Sequence, residues 1–209
     1  MFKDRREAGK LLAQKLIGYK GEYPLILALP RGGVPVGFQV ARALEAPLDT
    51  LVARKIGSPK NPEFGVGAIA QGDVLILDKN MDRKELDPII VKEKEEMERR
   101  ILKYKSGQYG ASSPAKIIII VDDGLATGVT ARAAVESAFL QYKPLKLIYA
   151  APVCAKDSAG TLRDLVNVVC VMEPEHLMAI GEWYENFPQT SDEEVIELLE
   201  KARTSAESS

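Results

Sequence analysis

The 209-residue chain holds one histidine, His176, and one tryptophan, Trp183. A histidine-based catalytic triad or a multi-histidine metal centre therefore has little to be built from. Cysteine is as scarce. Cys154 and Cys170 lie in apolar, strand-like stretches, without metal-ligand spacing or a disulfide framework. The sequence predicts two buried free thiols and a cytoplasmic location. An excess of one charge is also missing: 28 Lys and Arg face 30 Asp and Glu, a net −2. No segment is strongly basic, which argues against a general affinity for nucleic acid or an anionic membrane. No apolar run is long enough to span a bilayer, and the opening MFKDRREAGK is no signal peptide. What is present is 46% hydrophobic residues, enough to bury the core of one domain.

Apolar periodicity divides the chain. Asp4 caps an expected helix from about 5 to 18, with Ala8, Leu11, Leu12 and Leu16 on one face. LILAL (25–29) reads as a buried strand, PRGGVPVG as a turn, 36–44 as a helix and 48–56 as a second strand. Two short runs, 66–70 and 74–78, flank Gln71-Gly72-Asp73 and suggest a hairpin. Residues 87–105 are charged and periodic, the pattern of a long, mostly exposed helix, and 106–114 form a Gly/Ser linker. Beyond it, IIIIV (117–121) opens a strand–helix alternation: helix 129–141, strand 145–153, helix 156–165, strand 166–172. Residues 173–189 are irregular. Ser191 to Glu194 has the S-x-x-E capping pattern and opens a last helix, and the tail TSAESS is expected to fray. Alternating helices and continuously apolar strands predict an α/β fold with a parallel sheet covered on both faces. Its ligand should then sit at the carboxyl ends of strands, which singles out the loops after Leu29, Ile56 and Val121.

The stretch IIIIVDDGLATGVT carries the clearest chemistry. Asp122 and Asp123 end the most β-branched strand. Gly124, Ala126, Thr127, Gly128, Val129 and Thr130 lead into a helix, where backbone N–H groups and the helix N-terminus attract an anion. A phosphate cradle beside two carboxylates suits a ribose 5-phosphate, whose vicinal hydroxyls the carboxylates accept. The plainer alternative is a Gly-rich turn whose aspartates cap the helix. Neither a Walker A loop nor G-x-G-x-x-G is present.

This stretch resembles the diphosphoribosyl-binding motif of the type I phosphoribosyltransferases. The resemblance extends over most of residues 25–172 and includes two further segments. LPRGGVPVG (29–37) is similar to the family's pyrophosphate loop, in which Arg31 and the Gly32 and Gly33 amides would face the diphosphate. ARKIGSPKNPE (53–63) resembles the Arg-Lys segment of adenine-type members. Arg54 and Lys55 alternate along a strand, so one of them should point into the cleft, and we assign Lys55. Lys60 sits in a loop, residues 57–65, that could close over the site. The C-terminal AIGEWYENFPQTSDEEV is similar to uncharacterised bacterial phosphoribosyltransferases.

The resemblance implies a single domain over 1–209. Its parallel core would occupy about 20–172, an inserted hairpin and helix about 57–114, a small hood about 173–190 and a C-terminal helix about 191–203. It implies transfer of ribose 5-phosphate from phosphoribosyl diphosphate (PRPP) to a nitrogenous base, a purine by the adenine-type likeness. Pyrophosphate leaves, with Mg²⁺ held by Asp122 and Asp123 indirectly, through ribose hydroxyls or water. The catalytic set would be Arg31, Lys55, Asp122 and Asp123. Trp183 and Tyr184, with Phe187, would stack on the base, and Glu173 or Glu175 would read its edge. Arg83 and Lys84 are candidate lid residues in the insertion, and many members pair as homodimers. Two rivals stand beside this reading: a PRPP- or nucleotide-sensing regulatory protein on the same fold, and an interaction protein docking through the inserted helix.

Overall fold

The structure is a computed structural model that describes residues 1–62, 64–105 and 116–207, with side chains through 204. In chain order the elements are α1 (Arg5–Leu16), β1 (Leu25–Ala28), α2 (Gly33–Leu44), β2 (Leu48–Thr50), β3 (Ala53–Gly57), β4 (Gly65–Ala70) and β5 (Val74–Leu77). They continue with α3 (Arg83–Tyr104), β6 (Ile117–Val121), α4 (Val129–Tyr142), β7 (Lys146–Val153), α5 (Lys156–Arg163), β8 (Asn167–Met172) and α6 (Asp192–Glu207). A 3-10 turn, Ile17–Tyr19, ends the first helix, and another, Ile180–Trp183, lies in the hood.

Five strands form a parallel sheet in the order β2-β1-β6-β7-β8. Alternation along each strand assigns its two faces. Leu25, Leu27, Ile118, Ile120, Leu147 and Tyr149 pack with α4 and the three-stranded sheet. Ile26, Ala28, Ile119, Val121, Ile148 and Ala150 pack with α1, α2 and α6. Both faces are therefore buried, which is why these strands read as unbroken apolar runs. From β1 the chain moves to β2 on one side, and from β6 to β7 and β8 on the other. The strand order reverses between β1 and β6, and a crevice opens at their carboxyl ends. Ala28 pairs with Val121, and the Leu29 amide donates to the Val121 carbonyl at 2.8 Å. The two motif loops consequently leave the sheet side by side.

Local expectations hold at several ends. Asp4 accepts the Glu7 amide at 2.8 Å, and Ser191 Oγ accepts that of Glu194 at 3.1 Å. The hairpin of β4 and β5 is antiparallel. Other expectations need correction. The strand expected over 48–56 is two strands in two sheets: β2 edges the parallel sheet, whereas β3 joins β4 and β5 in an antiparallel one. An apolar run does not reveal where the chain changes sheets. The α2 helix begins at Gly33 rather than 36, because Pro35 falls in the first turn, where its missing N–H costs nothing. The inserted helix begins at Arg83 and is less exposed than its charge suggests. Leu86, Met97, Arg100 and Tyr104 are buried, and the helix covers a small core with Val52, Ile56, Val66 and Ile69. The linker expected over 106–114 lies outside the described residues. The last helix runs through the tail to Glu207. Cys154 and Cys170 are not free: they form a disulfide, their Cα atoms 6.2 Å apart, because β7 and β8 are neighbours. The inference of location from free thiols loses its premise.

Candidate active site

A cleft of about 720 Å³ opens at the β1/β6 crevice. Its floor comes from the two motif loops, one wall from β3 and α3, and its roof from the hood. Arg31, Gly32, Lys55, Asp122, Asp123, Gly124, Ala126, Thr127, Gly128 and Thr130 all line it. Gly33 and Val129 do not. The Gly33 amide donates to the Leu29 carbonyl at 3.0 Å and is committed to the helix start. The Val129 side chain faces the opposite side of the loop, toward Gly65.

The two carboxylates differ. Asp122 keeps some surface toward the cleft, but its carboxylate is embedded among protein atoms. It accepts the Tyr149 hydroxyl at 3.2 Å and the Asp123 amide at 2.9 Å. Burial first, and then the charge of Asp123, push its carboxyl up to about 8. Burial, and then the charge of Asp122, likewise push the Tyr149 hydroxyl up. Asp123 instead pairs with Arg5, whose Nε stands 2.8 Å from Oδ2. This carboxylate lies flat over Gly32. A Cβ built there would meet Oδ2 at 2.0 Å, so any side chain at this position would displace the Asp123 carboxylate. The peptide between Pro30 and Arg31 is cis.

After the aspartates the loop is tied to the next strand. The Leu125 amide donates to the Val153 carbonyl at 2.8 Å, the Ala155 amide donates back to Leu125 at 2.7 Å, and Ser158 Oγ donates to the Ala126 carbonyl. Gly128 then takes a φ of +78° as the N-cap of α4. Helix geometry leaves the first amides of α4 without internal acceptors, directed at the cleft beside the hydroxyls of Thr127 and Thr130.

Among the described residues, five cations line the cleft: Arg5, Arg31, Arg54, Lys55 and Arg100. Alternation led us to place one of Arg54 and Lys55 there; both are present. Strand β3 lies at the edge of its sheet, and long stems carry each charged head round to the cavity. Arg54 Nε donates to Glu93 of α3 at 2.8 Å. Arg100, also from α3, is buried, bonds Glu96 at 2.7 Å and lies 3.5 Å from the Pro30 carbonyl. Arg31 lies 3.8 Å from Asp192, the first residue of α6.

The hood departs most from expectation. Trp183 and Tyr184 do not line the cleft. Tyr184 is buried against Phe2 and Phe187, and its hydroxyl donates to the Asp123 carbonyl at 2.7 Å. Trp183 packs into the same cluster. Phe187 does face the cleft, with Met178 and Ile180. Glu173 and Glu175 are paired with Arg163 and Lys156 of α5, away from the cavity. Arg83 and Lys84 start α3 outside the lining, and Lys60, in the loop between β3 and β4, is outside it too. His176 is exposed.

Arg5 and Arg100 are the residues that sequence reasoning missed. Arg5 bonds Asp123, donates to the Pro188 carbonyl at 2.7 Å and lies 3.7 Å over the Phe187 ring. One faint signal was available: an arginine in the first turn of a helix opposes the macrodipole, so another partner must hold it. Arg100 gave no signal, because it is one cation among many on a charged helix.

A family model described as a phosphoribosyl transferase domain matches residues 3–190. The chain belongs to the phosphoribosyl transferase family. Two proteins from strains H37Rv and CDC 1551 of Mycobacterium tuberculosis, assigned only provisionally to the phosphoribosyl transferases by name, are each 39% identical over 209 residues. These matches take in 97% of this chain but 47% of each relative, so the chain spans about half their length. The crystal structure of TT1426 from Thermus thermophilus is 33% identical with a TM-score of 0.77, covering 96% of this chain and 98% of that one. A Neisseria gonorrhoeae protein solved with bound ppGpp has a TM-score of 0.50 at 13% identity, covering 100% and 98%, and shares the fold alone. The expected phosphoribosyltransferase-like parallel sheet, flanked by helices, is the fold of this family member. Among the described residues, no helix is long and apolar enough to cross a membrane.

Proposed function

We propose that this phosphoribosyl transferase moves the ribose 5-phosphate of PRPP to a nitrogenous base and releases pyrophosphate. The observation that carries the reading is the division of charge within one cleft. An anion cradle at α4 and a cationic wall flank two adjoining carboxylates, which matches a ligand phosphorylated at both ends of a sugar.

In this reading the 5-phosphate lies on residues 126–130, and Asp122 and Asp123 accept the ribose hydroxyls. The diphosphate lies against Arg31 and Lys55, with Arg54 and Arg100 behind them. As the C1–oxygen bond breaks, negative charge grows on pyrophosphate, where these donors are already oriented. The sugar becomes oxocarbenium-like, and the charged Asp123 carboxylate favours that charge. The base nitrogen bonds to C1 and gives up its proton to the departing pyrophosphate or to water. Ile180 and Met178, with the edge of Phe187, offer apolar surface for the base. A purine is the expected class, through the likeness of 53–63 to adenine-type members.

Among the described residues, no cluster of three or more His, Cys, Asp or Glu could hold a metal ion. Two carboxylates next to a phosphate-rich ligand fit Mg²⁺ bound chiefly by ligand oxygens and water. When bound, the ion would neutralise charge on the departing pyrophosphate.

The test combines protein, Mg²⁺, PRPP and single bases, and follows pyrophosphate release beside an Asp122→Asn/Asp123→Asn variant. Release with one base, lost in the variant, is expected. PRPP binding without turnover on any base would favour the sensing role. No PRPP binding would sink the reading.

A further inference from the structure

On the phosphoribosyl-transfer reading of the cleft, we infer that Arg5 is a positioning residue for both the ribose and the base. It sets the Asp123 carboxylate that takes the ribose hydroxyls, and it sets the Phe187 wall beside the base. Arg5 opens α1, whose Leu12 and Leu16 are fully buried in the core, so its stem starts from a fixed point. One guanidinium then makes three contacts. Nε bonds Asp123 Oδ2 at 2.8 Å, Nη1 donates to the Pro188 carbonyl at 2.7 Å, and Cζ lies 3.7 Å from the centroid of the Phe187 ring.

Each contact removes a freedom. A carboxylate has about four acceptor sites, so the bond to Arg5 fixes Asp123 and still leaves room for ribose hydroxyls. Phe187 has Arg5 over one face and Tyr184 stacked at 4.7 Å, which holds its ring in place at the cleft. The hood is also seated directly on the motif loop. The Tyr184 hydroxyl donates to the Asp123 carbonyl at 2.7 Å, and Ile180 lies so close over Gly124 that a Cβ there would meet its Cγ2 at 2.6 Å. The ribose acceptor and the base wall are one packed unit, with Arg5 between them. A planar fork can serve a carboxylate, a carbonyl and a ring face together, whereas an ammonium can serve the carboxylate alone. Lysine at this position should therefore separate the two roles.

Calorimetric titration of the full chain with ribose 5-phosphate and with a panel of nucleoside 5′-monophosphates tests this, because the two kinds of ligand differ by the base. Ribose 5-phosphate affinity reads the Asp123 end. The extra affinity of the tightest nucleotide reads the base wall. Arg5→Lys should keep ribose 5-phosphate binding within about threefold of wild type and lose most of that extra affinity. Arg5→Ala should lose both, with ribose 5-phosphate bound about tenfold more weakly or worse. Leu12→Ala loosens the same helix without touching the guanidinium. It should bind both ligands as wild type does, with circular dichroism reporting folded chains. Wild-type binding in Arg5→Ala, or an undiminished nucleotide gain in Arg5→Lys, would overturn the inference. So would a loss in Leu12→Ala equal to that in Arg5→Ala, or a wild type that gains nothing from any base. A wild type that binds neither ribose 5-phosphate nor PRPP would instead sink the phosphoribosyl reading, and this role of Arg5 with it.

Discussion

Asp122 carries the sharpest consequence at the scale of one residue. Its carboxyl is pushed from 3.8 up to about 8, mainly by burial. The folded chain then holds a proton that the unfolded chain releases near pH 4. The stability this group contributes is fully present below pH 4 and is lost as pH rises toward 8, at no more than about 1.4 kcal/mol per pH unit. Urea denaturation from pH 5 to 8.5 should show this fall in wild type and a flatter profile in Asp122→Asn. Parallel profiles would show that Asp122 does not titrate there. Arg5 allows a second test. Its ion pair with Asp123 is mostly buried, at 11% and 15% side-chain exposure. Arg5→Ala should cost roughly 2–4 kcal/mol, because it strands the carboxylate and uncovers Phe187. Arg5→Lys should restore only part of that, since an ammonium cannot reach Asp123 and the Pro188 carbonyl together. A loss under about 0.5 kcal/mol in Arg5→Ala would make the contact incidental. At Gly32, substitution by alanine should displace the Asp123 carboxylate and abolish PRPP binding in calorimetry, with the fold retained.

At the scale of elements, α3 and α6 meet through Asp192. Its carboxylate accepts from Tyr104 Oη, from Arg99 at 2.9 Å and from Lys103 at 2.9 Å. Burial pushes its carboxyl up, but these donors outweigh burial and hold it below the usual range. Asp192→Asn should cost roughly 2–3 kcal/mol by chemical denaturation, because several charge-assisted bonds weaken together. Arg31 lies beside the same carboxylate, so the variant should also weaken PRPP binding. A change in stability alone would uncouple the clamp from the cleft. Helix α3 was legible as a helix from its periodicity. Its role as a wall of the site was not, because Arg100 and Glu93 look like solvated charges until β3 is seen beside them.

At the scale of the whole molecule, the first residues and the hood are distant in sequence but fold together. The Phe2 amide donates to the Trp183 carbonyl at 2.7 Å, and the Glu185 amide donates back to Phe2 at 2.8 Å. Phe2 is 2% exposed, packed on Tyr184. Phe2→Ala should cost about 3–5 kcal/mol in thermal or urea unfolding and should raise KM for the base more than KM for PRPP. Equal changes in both would place the hood away from the base. This long-range pairing explains why Trp183 and Tyr184 lie outside the cleft lining. Aromatics in an irregular segment look available for stacking, and only the arriving N-terminal segment shows that Tyr184 is core and that Trp183 packs against it.

Short-range physics was enough for much of this protein. Unbroken apolar runs identified the buried strands, side-chain oxygens marked helix starts, and the coincidence of two aspartates with a Gly-Thr turn singled out a loop that lines the cleft. Each depends on neighbours a few residues apart, so each is legible in sequence. The tertiary structure alone decided that 48–56 divides between two sheets, that Cys154 meets Cys170, that Arg5 holds Asp123, and that Phe187 faces the cleft while Trp183 and Tyr184 turn inward. Those outcomes depend on which strand edges and helix ends come together across tens of residues, and no local pattern encodes that choice.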